Sequence, residues 1–162
     1  MPTIKGLVVP ADSEEPMRVI EMEAGDGNKI REVVGGWFGM SAGVQIPLTF
    51  AYHDEGKVIN LPKNDRGTAI WWSSDLRFLF FDYLAGDVLI LGEPDEEGTT
   101  QGIPDDFLEI ALKTEACGFS VTAGDRSVES KFRGSYTDAL MLCLALVGNN
   151  GAVTSFKVFA DS

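Results

Sequence analysis

The sequence predicts an α+β fold: a small mixed or mostly antiparallel sheet with hairpins, packed by two to four short helices. Three observations carry that prediction. β-Branched runs recur between turn residues, short segments with helix caps stand among them, and a chain of 162 residues with 44% hydrophobic composition can bury a core without staples.

The elements follow in order. Ile4 to Val9 is a β-branched run ended by Pro10 and the acidic stretch Asp12-Ser13-Glu14-Glu15-Pro16, and the alternating Met17 to Met22 should pair with it as a hairpin. Asn28 to Val34 places Ile30, Val33 and Val34 at helical spacing, with Gly35-Gly36 as the stop. Gly36 to Gly43 holds three glycines around Trp37, Phe38 and Met40 and reads as a tightly turned connection. Val44 to Tyr52 reads as a strand, with Pro47 arguing for an edge or bulge. Asp54 to Lys57 then turns into a short return strand, Val58 to Leu61.

Asn64 is a good cap for one or two helical turns reaching Ser73, with Trp71 and Trp72 near their end. Gly86 to Gly92 encloses Asp87-Val-Leu-Ile-Leu, the pattern of a buried strand. Pro104-Asp105-Asp106 opens a helix whose Phe107, Leu108, Ala111 and Leu112 form one face. Phe119 to Ala123 is a strand followed by a Gly124-Asp125 turn. Ser135 to Asp138 resembles a capping box before the all-apolar run Ala139 to Val147, which Gly148 is placed to end. Such a helix belongs against a sheet, and Thr154 to Phe159 supplies a strand for it. The reading is one compact unit over residues 1–162, with a C-terminal β-α-β-like extension over 115–162 and its weakest boundary at 115–118.

Charge narrows the partners. Twenty-five acidic against thirteen basic residues give a net charge of −12, which repels phosphate backbones and anionic membranes, so neither direct nucleic-acid binding nor membrane association is expected. The N-terminus shows neither the basic start nor the long apolar stretch of a signal peptide, and Ala139 to Val147 falls far short of the roughly 20 residues of a membrane span. A cytoplasmic protein is expected, with Cys117 and Cys143 reduced inside apolar stretches.

The chemistry-bearing residues are few. His53 is the only histidine, so two-histidine metal motifs are excluded, and its place beside Asp54 and Glu55 in a turn is that of a solvated side chain. The cysteines stand 26 positions apart, unlike a zinc ribbon. Around Asp95-Glu96-Glu97-Gly98 the glycine and the closing glutamate do not fall at the positions of a calcium loop, and the glycines at 35, 36, 39 and 43 form neither dinucleotide nor phosphate-loop fingerprints. No catalytic residue, metal or cofactor is implied.

Two features rise above this background. Lys63-Asn64-Asp65-Arg66-Gly67-Thr68, followed by Trp71 and Trp72, offers a guanidinium fork and stacking faces to a carboxylate, phosphate or base. The plainer reading, a capped helix whose arginine pairs locally while one tryptophan fills the core, is favoured. Between Gly67 and Ile110 ten acidic residues, among them Asp95, Glu96 and Glu97, face one basic residue, Arg77. Such an array can imitate a phosphate backbone before a basic groove, although ordinary solubilising charge is the commoner cause.

Four segments together, Ile4-Lys-Gly-Leu-Val-Val-Pro, Ile30-Arg-Glu-Val-Val-Gly-Gly-Trp, Asp54-Glu-Gly-Lys with Leu61-Pro-Lys-Asn-Asp-Arg-Gly-Thr-Ala, and Tyr83-Leu-Ala-Gly-Asp-Val-Leu-Ile-Leu-Gly, resemble domain of unknown function family 3846. The resemblance covers roughly residues 1–106. It implies a phage, plasmid or other mobile-element setting in a bacterial host cell, brings no established activity, and includes Asn64 and Arg66 among its signature positions. The expected function is a non-enzymatic acidic protein that binds a host protein with a basic surface, as an inhibitor of a defence or nucleic-acid enzyme would. The alternative is a binder of an anionic metabolite or nucleotide that uses Lys63, Asn64, Arg66 and a tryptophan. An enzyme built on His53 ranks last, for want of a nucleophile or metal set.

Overall fold

A computed structural model describes residues 2–161, and the chain divides into two compact units at the step from Pro104 to Asp105. The first contains β1 (Thr3–Val9), β2 (Arg18–Glu23), α1 (Gly27–Val34), β3 (Phe38–Ala42), β4 (Leu48–His53), α2 (Asp65–Ser74), a 3₁₀ turn at Leu76–Phe78, and β5 (Val88–Gly92). Its five strands lie in the order β2-β1-β5-β4-β3, each antiparallel to its neighbours.

β5 is central and wholly buried, because both faces of the sheet are covered. The pleat sorts its residues: Val8, Ala51, Leu89 and Leu91 pack with Ile30 of α1 on one face. Leu7, Val9, Phe50, Val88 and Ile90 occupy the alternate positions and are equally buried. On that second face Trp71 of α2 donates its indole N–H to Ser41 of β3 at 3.0 Å. Both helices begin at side-chain caps, Asp26 accepting from the Lys29 amide and Asn64 from the Gly67 amide. α1 ends at Gly35, whose own N–H makes the last helical bond to the Arg31 carbonyl and whose φ of 87° turns the Gly36 N–H back to the same carbonyl.

Three expectations are corrected here. Residues 38–42 form the edge strand β3 and not a loop; Gly39 lies under the Tyr52 ring, so the glycine that suggested a turn serves strand packing. The following strand starts at Leu48, leaves Pro47 outside and lies inside the sheet, and it makes its hairpin with β3. No return strand forms at 58–61: the Ile59, Asn60 and Leu61 amides bond back to the carbonyls of Glu55, Lys57 and Gly56, which closes compact turns.

The second unit contains α3 (Asp105–Ala111), β6 (Cys117–Ala123), β7 (Arg126–Glu129), α4 (Tyr136–Asn149) and β8 (Ser155–Ala160), with an antiparallel sheet in the order β7-β6-β8. Ser135 caps α4 by accepting from the Asp138 amide at 3.1 Å. Ala139, Leu140, Cys143 and Leu144 form the buried stripe of α4, which packs on β6 and β8. The apolar run is not buried all round, because Leu142 and Leu146 fall on the opposite side and are exposed. Gly148 lies inside α4, which runs on to Asn149, and Leu112 falls beyond the end of α3 and is exposed. β7 extends the Gly124-Asp125 turn into a hairpin that the polar sequence 126–129 did not signal.

Cys117 and Cys143 are free and buried, and burial pushes the Cys143 thiol up to about 11. Among the described residues no helix is long and apolar enough to cross a membrane.

Candidate functional site

A cleft of about 410 Å³ opens in the first unit where the end of β4, the turns after it, α2 and the segment before β5 meet. Its walls are aromatic: Tyr52, Trp71, Phe78 and Tyr83 all line it. Trp71 and Phe78 stack with their centroids 4.4 Å apart and their planes 17° from parallel, so each ring covers one face of the other and the pair forms a rigid block at the cleft's edge, with Trp71 itself almost wholly buried. The polar lining comes from Ser41, His53, Asp54, Lys57 and Asp82.

Backbone bonds fix the two segments that form the mouth. The Asn64 amide donates to the Leu84 carbonyl at 2.9 Å and the Gly86 amide to the Pro62 carbonyl at 2.7 Å, while Lys63 and Ala85 bridge. Thr68 adds its hydroxyl as acceptor for the Leu84 amide at 3.0 Å. Trp72 donates its indole N–H to the Asp82 carbonyl at 2.8 Å. The mouth is thereby held in shape before anything enters it, which lowers the ordering cost of binding.

Two lysines gather at Tyr83. The Lys57 ammonium stands 4.6 Å and the Lys63 ammonium 5.7 Å from its ring centroid. Lys57 also donates to the Asp82 carboxylate. Burial pushes the Asp82 carboxyl up, but the Lys57 ammonium and the Tyr83 N–H act against it, and the net result lies below the ordinary carboxylate range. Lys63 has a looser partner in Asp65 at 3.8 Å, with both side chains more than half exposed. Beside the cleft the chain exposes Phe81, which is 89% accessible, and Phe80, held at a φ of 65° with its ring edge-on to Trp72.

The segment 63–72 divides between support and cleft. Asn64 is fully buried; besides capping α2 it donates through Nδ2 to the carbonyls of Val9 at 2.7 Å and Gly86 at 2.9 Å. Arg66 does not line the cleft. Its Nη2 donates to the carbonyls of Pro10, Asp12 and Glu15 at 2.9, 3.0 and 2.7 Å, which clasps the loop between β1 and β2. Burial lowers the guanidinium pKa, while the charges of Asp12 and Glu15 oppose that shift. Trp71 forms a cleft wall, Trp72 anchors Asp82 from behind, and Lys63 stands at the mouth.

Asp95, Glu96 and Glu97 lie elsewhere, on an exposed loop after β5. Asp95 accepts through Oδ1 from the Glu97 amide at 3.0 Å and the Thr99 amide at 2.9 Å, and through Oδ2 from Gln101 at 3.1 Å. The loop is thus ordered by one of its own acids. His53 lines the cleft, but its Nδ1 accepts from the Glu55 amide at 3.0 Å and its ring packs against Gly36. Among the described residues no group of three or more His, Cys, Asp or Glu converges as metal ligands would.

Sequence reasoning missed Tyr52, Lys57, Phe78, Asp82 and Tyr83. A signal was present for two of them: Lys57 closes one of the segments that carry the family resemblance, and Tyr83 opens another.

Fold and site together define an α+β protein with a preformed aromatic cleft on its five-stranded unit. The chain belongs to the family described as Domain of unknown function (DUF3846), whose model matches residues 4–115. No curated protein and no solved structure matches it.

Proposed function

We propose that this chain is a non-enzymatic binding protein whose ligand is a small molecule with a planar ring, held in the cleft lined by Tyr52, Trp71, Phe78 and Tyr83. The observation that carries this reading is the convergence of four aromatic side chains, Tyr52, Trp71, Phe78 and Tyr83, on one preformed concavity. Small-ligand sites are concave and of about 300 to 1,000 Å³, with apolar walls and a few fixed polar groups; this cleft has that size and concavity, with a lining divided about evenly between apolar and polar groups. Two of the four segments of the family resemblance contribute to it, one through Asp54 and Lys57, with Lys63 near Tyr83, and the other through Tyr83 to Ala85. The small-molecule alternative drawn from residues 63–72 is thereby favoured, with Lys57 and Tyr83 taking the place given to Arg66.

The test is a thermal-shift and tryptophan-fluorescence screen of nucleosides, nucleotides and aromatic acids against the full chain. Binding should quench or shift the emission of Trp71. Tyr83→Ala, which removes a partly exposed wall, should abolish the response with little change in the melting of the free protein. A screen in which no ring compound perturbs either signal overturns the reading.

A second reading keeps the acidic surface as the working part, in the phage or mobile-element setting, against a host protein with a basic groove. The ordered loop favours it: Asp95 is engaged internally, which holds Glu96 and Glu97 exposed in a fixed frame. Capture of a basic partner should weaken steeply with salt, because exposed charges are screened over about 10 Å at 0.1 M ionic strength. Replacing Glu96 and Glu97 by glutamine should slow association more than it speeds dissociation. Salt-independent capture removes this reading.

A further inference from the structure

We infer that the cleft's ligand is a planar ring bearing a phosphate monoester, a nucleoside 5′-monophosphate in chemical type, with the ring between the aromatic walls and the phosphate on Lys57 and Lys63. This inference rests on the cleft being the binding site. Its observations are the two ammonium groups gathered at one ring and the carboxylate that already sits on one of them.

In a chain of net charge −12 an approaching anion meets repulsion over most of the surface. At the cleft mouth two of the thirteen cations converge on Tyr83. Asp82 and Asp65 already stand against these two lysines and Asp54 also lines the cleft, so an anionic ligand group gains there only by displacing a carboxylate.

The choice between carboxylate and phosphate follows from Asp82. Lys57 already holds the Asp82 carboxylate within the same chain, at the effective concentration that tethering confers. A ligand carboxylate would replace that group by an identical one and lose the tether. A phosphate monoester carries about −1.5 to −2 charges at pH 7 and three acceptor oxygens. It therefore outcompetes Asp82 for Lys57 and keeps oxygens for Lys63, whose pairing with Asp65 is loose and exposed. Asp82, once displaced, still accepts from the Tyr83 amide, now at 2.8 Å, so the exchange leaves no buried carboxylate without a partner.

The experiment is isothermal titration of the full chain at fixed low salt with the four nucleoside 5′-monophosphates, the four nucleosides and inorganic phosphate. The best monophosphate should bind at least ten-fold tighter than its nucleoside. Lys57→Ala should erase that difference, Lys63→Ala should reduce it, and Asp82→Asn should tighten the monophosphate several-fold by removing the internal competitor. A nucleoside that binds as well as its monophosphate, with Lys57→Ala silent, overturns the phosphate assignment and leaves the aromatic cleft standing. Inorganic phosphate that binds as tightly as any monophosphate overturns the ring and phosphate combination. If neither nucleosides nor monophosphates bind, this inference falls, and loss of every other ring compound in the screen takes the cleft reading with it.

Discussion

Arg66 holds Glu15 across 51 positions of sequence: its Nη2 donates to the Glu15 carbonyl at 2.7 Å, at the far end of the loop that joins β1 to β2. The same nitrogen takes the Pro10 and Asp12 carbonyls, so one side chain on the first turn of α2 organises an acidic loop through its backbone. Arg66→Ala should cost about 1 to 3 kcal/mol, the range for hydrogen bonds to a charged group, with the lower end favoured because water can reach the Asp12 and Glu15 carbonyls. Arg66→Lys should recover only part, since an ammonium lacks the planar fork. Urea denaturation gives the magnitude, and limited proteolysis should show cutting between residues 11 and 16 rise in Arg66→Ala. Ligand titration of the same variant should be unchanged, because Arg66 does not line the cleft.

Asn64 should be among the least replaceable polar residues of the first unit. It is fully buried and makes three hydrogen bonds: one caps α2 and two reach carbonyls of β1 and the segment before β5. Asn64→Ala loses the cap, worth about 1 kcal/mol, and leaves two buried carbonyls short of donors at about 1 to 3 kcal/mol each at most. Asn64→Asp keeps the capping oxygen but turns a second acceptor toward those carbonyls. It should be at least as destabilising at pH 7 and should improve as the pH falls and the carboxyl gains a proton. Denaturation of both variants at pH 7 and pH 4 checks the sign.

Asp75 should dominate the acid limb of stability. Its side chain is only 2% exposed and takes Arg77 Nε at 2.9 Å and Nη2 at 2.7 Å, while Arg77 itself is largely in solvent. The Arg77 hydrogen bond holds the Asp75 carboxyl below its ordinary value against the opposing effect of burial. A depressed folded pKa adds stability that is fully present above the unfolded value, near about 3.9, and is lost as pH falls through the folded pKa. Solvent around Arg77 screens the pair, so the effect belongs at the lower end of the range for charged hydrogen bonds. Asp75→Asn should flatten the stability profile below pH 4 and cost about 1 to 2 kcal/mol at neutral pH. An unchanged acid limb in that variant would assign the dependence to other carboxylates.

What could be read in advance was local. Asn64, Ser135 and Gly35 act within one helical turn, so a cap and its helix appear together in the sequence, and the glycine-bounded run at Val88–Gly92 carries its burial in its own composition. β3 was hidden because its identity as a strand depends on pairing with β4, and on the Tyr52 ring that occupies the space over Gly39. The cleft was hidden for a related reason. Lys57 and Tyr83 are 26 positions apart, and the bonds between 62–64 and 84–86, with the Lys57–Asp82 pair, bring their segments together. Arg66 was legible as a scarce, well-placed cation, but its partners are backbone carbonyls of a distant loop, and carbonyls leave no mark on residue type.

The two glycines that bracket this reading, Gly35 and Gly92, should respond differently to the same methyl group. Gly35 ends α1 at a φ of 87° with open space around it, so Gly35→Ala meets only the left-handed backbone penalty, about 1 to 2 kcal/mol, and no clash. Gly92 has ordinary φ, but a Cβ there would run into the backbone carbonyl of Gly102, whose neighbour Gln101 offers its own carbonyl to the Gly92 amide at 2.9 Å. Backbone cannot yield as a side-chain tip can. Gly92→Ala must therefore push the 101–103 segment away from β5 and weaken the bond between the Ile103 amide and the Lys5 carbonyl on β1. A loss of more than about 2 kcal/mol is expected, in the range of strain from overpacking. Gly35→Asn separates the two causes, because asparagine tolerates the left-handed region and should restore most of the stability lost in Gly35→Ala. No residue larger than glycine should rescue position 92, and urea midpoints for the four proteins at one pH decide the matter: equal losses in Gly35→Ala and Gly92→Ala would mean that the 101–103 segment yields freely.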